Sequence, residues 1–150
     1  MRLRKTLLAL LVMSSMLILL SGCSEVSGIY GEHDFRGFDW GNPLYLVEKE
    51  EYAMNTYDGD SRLMYWDTFL GYDANITYIF YENNLSHGYV QIESDKELDD
   101  VFDGVVSTLS NSYGAPTKST DISEEFITSN GGFIYVSKSG IDCTVLFGKQ

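Results

Sequence analysis

The sequence predicts an α+β domain: an antiparallel β-meander sheet with two helices packed on one face, in the order helix–strands–helix–strands. Three observations carry this. Tyr-rich and β-branched segments with a period of two recur between Gly and Asn turns. One mid-chain stretch instead repeats its apolar residues at helical spacing. Proline is scarce, with 2 in 150 residues, while Tyr numbers 11 and Phe 8, a composition that can bury a core.

The elements follow in order. In "FDWGNPLYLVEKEEY", Asn42 offers an N-cap and Pro43 the first helical position, where its missing N–H costs nothing. A short helix is expected there, with Leu44 and Val47 turned inward. From residue 52 to 92 the period becomes two. "RLMYWDTFL", "ANITYIFY" and "LSHGYVQIE" read as strands, with "LGYDA" and "ENN" as turns, and loops this short imply a meander. A further strand over residues 52–57 would close at the turn "DGD". In "SDKELDDVFDGVVSTLSNSYGAP", Ser94 and Glu97 have the spacing of a capping box. Leu98, Val101, Phe102, Val105, Leu109 and Tyr113 form one apolar stripe suited to covering a sheet, and Gly114 and Pro116 end the helix. "EEFIT", "GFIYVSK" and "DCTVLFG" then read as three strands joined by "SNGG" and "SGI". Two helix-plus-meander halves outline a structural duplication, without a sequence repeat.

The N-terminus carries a different signal. Arg2, Arg4 and Lys5 precede an apolar run from Leu7 to Leu20, as in an export signal, and the run is shorter than a spanning helix requires. Leu20-Ser21-Gly22-Cys23 resembles the bacterial lipobox, in which an aliphatic and two small residues precede a cysteine that is diacylated and becomes the mature N-terminus. This resemblance implies a signal peptide over residues 1–22, a lipidated tether over 23–34, and a single domain over 35–150. It also implies lipidation at Cys23, with covalent diacylglycerol and an N-acyl chain in place of any other cofactor, and an exported protein anchored in the bacterial cell envelope.

Charge narrows the partners. The chain holds 22 acidic and 10 basic residues, a net −12. Loss of residues 1–22 with Arg2, Arg4 and Lys5 would take this to −15. Such a surface repels nucleic acid, so no nucleic-acid partner is expected. With Cys23 lipidated, Cys143 is the one remaining thiol and no internal disulfide is available. Its strand-like setting, with no His or Lys beside it in sequence, points to burial rather than reactivity.

Local motifs offer no catalytic set. Glu32, His33 and Asp34 are adjacent on a tether and short of a closed zinc site; Asp58-Gly59-Asp60 lacks the further oxygens of a calcium loop. No nucleophile motif or phosphate-cradling loop is present. The reading is therefore no enzyme, no catalytic residues and no metal.

"FRGFDWG", "ITYIFYENNLSHGYV" and the helix ending "YGAP" resemble a recurring pattern in small exported bacterial lipoproteins. The alternation of helix and meander is similar to the outer-membrane assembly lipoproteins of the SmpA/OmlA type and to β-lactamase-inhibitor proteins. The resemblance implies a binding module without catalytic residues. The last third departs from it by lacking a tryptophan after the helix, which bears on the pairing of the C-terminal strands.

A non-catalytic module that binds an envelope protein through a Tyr-rich sheet face is the functional expectation. If Trp66, Leu70, Ile76, Phe80, Val90, Ile92, Ile134 and Val136 face the helices, alternation turns Tyr65, Tyr81, Tyr89 and Tyr135 outward, with Asp67, His87 and Gln91. Tyrosines on a rigid sheet supply contact area at low entropy cost. The alternatives are an envelope enzyme of unknown reaction and a small-ligand carrier, the latter with a pocket lined by Phe102, Leu109 and Trp66.

Overall fold

The computed structural model describes residues 33–51, 54–59 (backbone) and 61–149. Cys23, the signal peptide, most of the tether, Glu32 and Asp60 lie outside the described residues.

The elements are α1 (Leu44–Glu50), β1 (Met54–Gly59), β2 (Arg62–Phe69), β3 (Tyr72–Tyr81), β4 (Asn84–Glu93), α2 (Leu98–Tyr113), β5 (Lys118–Thr120), β6 (Ser123–Ile127), β7 (Gly132–Ser139) and β8 (Asp142–Lys149). All eight strands join one antiparallel sheet, ordered β1-β2-β3-β4-β8-β7-β6-β5. The α+β class, the two meanders and the element order are as the sequence predicts. Each half is a helix followed by a four-stranded meander, and the halves meet through their last strands, Val90 opposite Val145. The three-residue β5 is an addition, an edge strand too polar and short to leave a periodic signal.

Two-residue turns set the register. Leu70 and Gly71 (φ 53° and 81°) join β2 to β3, and Glu82 and Asn83 (φ 49° and 65°) join β3 to β4, the doubly left-handed turn whose twist matches that of paired strands.

One face of the sheet is closed by both helices and by the loop over residues 33–43. Val101, Phe102, Val105 and Leu109 of α2 and Val47 of α1 enter one core with Ile76, Tyr78, Val90, Ile134, Val136, Val145 and Phe147. Full burial of each such side chain contributes about 1.5–3 kcal/mol. Phe35 and Phe38 of the loop supply what the seven-residue α1 is too short to cover. Phe35 lies with its ring on Gly88, where a Cβ would stand 2.5 Å from it, and packs against Tyr78 and Phe147. Gly104 in mid-helix has the same logic: a Cβ there would meet the Tyr72 hydroxyl at 2.6 Å.

Both helix starts differ from expectation. Pro43 is the N-cap of α1 rather than its first residue, and Asn42 accepts instead from the Asp39 N–H. Leu44 N–H donates to Asn83 O, so the β3–β4 turn satisfies an amide that a side-chain cap would otherwise serve. The Ser94–Glu97 capping box does not form. α2 begins at Leu98 with Glu97 as a cap that makes no side-chain bond, while Ser94 Oγ accepts from Lys96 N–H. Asp99 and Asp100 in the first turn complement the helix dipole instead.

Candidate functional site

Register assigns each side chain to a face. On β2, Leu63, Tyr65 and Phe69 are buried with the core, while Trp66 is 38% exposed on the opposite face. This reverses the expected orientation of β2. Tyr65 is 2% exposed and packs edge-on against Tyr78, their ring centroids 5.9 Å apart. Asp67 likewise points to the helix side. The physical reason is Arg36: its Nη2 stands 2.5 Å from Asp67 Oδ2, so a carboxylate at that position has a partner from the loop. A one-residue shift in phase then carries Trp66 outward and Tyr65 inward.

Around Arg36 the loop, the end of α1 and the sheet are tied together. Arg36 Nε donates to Tyr78 Oη at 3.2 Å, Nη2 lies 3.4 Å from Glu51 Oε1, and Tyr78 Oη donates to Glu51 Oε2. Burial works against the Arg36 charge, yet Tyr78, Glu51 and Asp67 together raise its pKa above the usual arginine value. Burial, with Glu51 adding to it and Arg36 opposing, pushes the Tyr78 phenol well up. The network serves to pin the loop. Sequence reasoning passed over Arg36, although a cation flanked by Phe35 and Phe38 was a visible signal.

The other predicted site residues are on the outer face. Tyr81 is 71% and Tyr135 40% exposed, while Tyr89, His87 and Gln91 are half-buried, Gln91 donating to Asp142 Oδ1 at 3.0 Å. Sheet register aligns them in rows. Met64, Thr77, Tyr89, Leu146 and Tyr135 form the middle one. Arg62, Ile79, His87, Gly148 and Phe133 lie on one side of it, and Trp66, Asn75, Gln91, Thr144 and Ser137 on the other. Across β2, β3, β4, β8 and β7 no carboxylate stands in these three rows, in a chain with 22 acidic residues; the middle row then continues from Tyr135 to Glu125 on β6, which is ion-paired with Lys118. The acids of this face lie at its margins, Asp73 opposite Glu93 at one strand end and Glu125 beside Lys118 near an edge. Among the described residues neither helix nor loop covers this face, because both helices and the 33–43 loop pack into the core on the other side.

Trp66 on one face and Phe102 with Leu109 on the other rule out the expected pocket between them. A cleft of about 460 Å³ lies elsewhere, where Trp40, Tyr113 and Asn130 meet at the end of β7 and β8. Asp34 organises its rim, accepting from Trp40 N–H at 2.8 Å and from the Asn130 side-chain amide. Among the described residues no cluster of three or more His, Cys, Asp or Glu is arranged to hold a metal ion. Cys143 is buried, and desolvation raises its pKa to about 11. Among the described residues no helix is long and apolar enough to cross a membrane.

Comparison with protein-family models, curated proteins and solved structures finds no match for this chain in any of the three.

Proposed function

We propose that this chain is a lipid-anchored, non-catalytic binding module of the bacterial envelope whose contact surface is the outer face of the sheet. One observation carries the reading: a broad sheet face, free of carboxylates in its three central rows across β2, β3, β4, β8 and β7, displays Trp66, Tyr135, Tyr89 and Leu146 with no element over it among the described residues. Aromatic side chains on a rigid, weakly charged scaffold favour protein contact, since little charge must be desolvated and few rotamers frozen. Anchoring rests on Cys23 and the small residues before it.

A photo-crosslinking side chain at Tyr135 or Trp66, compared with one at Glu48 on α1, tests the reading in intact cells. Adducts specific to the sheet positions are expected. Equal capture from all three positions, or capture from Glu48 alone, overturns it. The cleft at Trp40 supports a second reading, a small-ligand carrier, because its volume lies in the range of ligand pockets.

A further inference from the structure

We infer that the partner of the outer sheet face is a second copy of this chain, packed face to face about a two-fold axis that sets opposite strand ends against each other. This rests on the reading of that face as the contact surface and names its occupant.

Three features of the face lead there. First is charge. Two chains of net −12 repel unless they meet where carboxylates are absent. Across β2, β3, β4, β8 and β7 the three central rows provide such a field, and Glu125, which continues the middle row on β6, is offset by its ion pair with Lys118, whereas α2 carries Asp99, Asp100 and Asp103 on the opposite side. A basic partner would be drawn to those acids, leaving the neutral face for a neutral counterpart, and a second copy brings one of the same size.

Second is area. The eight strands, about 4.8 Å apart and holding 58 residues at about 3.3 Å each, cover roughly 900 Å². A stable interface needs about 800 Å² from each partner. Sheets pack face to face in this way throughout β-sandwiches.

Third is polarity along the strands. Arg62, exposed, stands at one end of the face; Asp73 and Glu93, paired in register and both exposed, stand at the other. Like-to-like stacking would put carboxylates against carboxylates. Reversal sets Arg62 of each copy toward the acidic end of the other, and two-fold symmetry makes that contact twice.

The test co-expresses two differently tagged copies of the full chain and measures how much of one is isolated with the other, circular dichroism confirming the fold of each variant. Wild-type copies should co-isolate, and Tyr135→Glu should abolish association. Arg62→Glu or Glu93→Arg alone should weaken it about tenfold, because each repulsion counts twice. Arg62→Glu with Glu93→Arg should restore it. The inference is overturned if wild-type copies do not co-isolate, or if co-isolation ignores these substitutions. Should self-association fail while a crosslinker at Tyr135 joins a different protein, the second copy is excluded and the face remains the contact surface; if that crosslinker also joins nothing, both readings fall.

Discussion

The Arg36 guanidinium meets the Asp67 carboxylate at 2.5 Å, tying a loop ahead of the first helix to the inward side of β2. Glu51 and Tyr78 complete the set, and Glu51 is only 9% exposed at its side chain. Removing the cation would strand Glu51 in the core. Arg36→Ala should therefore cost about 2–4 kcal/mol, and Asp67→Asn, at a more open position, about 1 kcal/mol or less. Urea unfolding of the two variants checks the order. Equal and small effects would show that the network does not hold the loop.

Orientation of β2 makes a sharper contrast. Tyr65→Ser empties a buried site and should destabilise by about 3–5 kcal/mol, whereas Tyr81→Ser should stay within about 0.5 kcal/mol. Thermal melts of the pair separate the faces of the sheet. If Tyr65→Ser proved harmless, the phase assigned to β2 would be wrong.

Gly88→Ala should drive the Phe35 ring off the sheet, with a cost of about 1–3 kcal/mol from overpacking. Combining it with Phe35→Leu should cost less than the sum of the two single changes, since the smaller side chain makes room. Additive losses in the double variant would mean that the two residues do not share the contact.

Alkaline stability has a defined sign. The Cys143 thiol is held near 11 by burial, above its ordinary value of 9.0, so the folded state binds this proton more tightly than the unfolded chain. The stabilisation is full below pH 9 and is lost as pH rises through 11, in total about 2–3 kcal/mol. Tyr78, also raised, adds its own loss above pH 10. Stability measured from pH 8 to 10 should fall for the wild type and fall less for Cys143→Ala. Thiol reagents at pH 8 should label Cys143 only after unfolding; labelling of the native protein would contradict its burial.

Cys23→Ser should abolish incorporation of labelled fatty acid and leave an unprocessed precursor, because no other side chain at the small-residue junction can form the thioether. Intact-mass analysis of the mature chain decides: a different N-terminus, or none of the acyl mass, would refute lipidation.

Period and punctuation in the sequence determined the α+β class, both meanders, the α2 stripe and the place of most turns. These features are local, set by the alternation of apolar residues and by residues that tolerate left-handed backbone, so neighbours along the chain suffice to read them. The burial of Cys143 and the outward Tyr81, Tyr89 and Tyr135 were legible for the same reason. Tertiary structure alone decided the phase of β2. By alternation Asp67 marks the solvent side, and only the arrival of Arg36, 31 residues earlier in the chain, makes an inward carboxylate tolerable and turns Tyr65 in with it. It also decided both helix starts, where the Asn83 carbonyl and the dipole of α2 replaced the side-chain caps that spacing proposed. The join of β4 to β8 was hidden too, because pairing of residues as far apart as Val90 and Val145 depends on which edges remain after each meander has formed, and no local pattern records that.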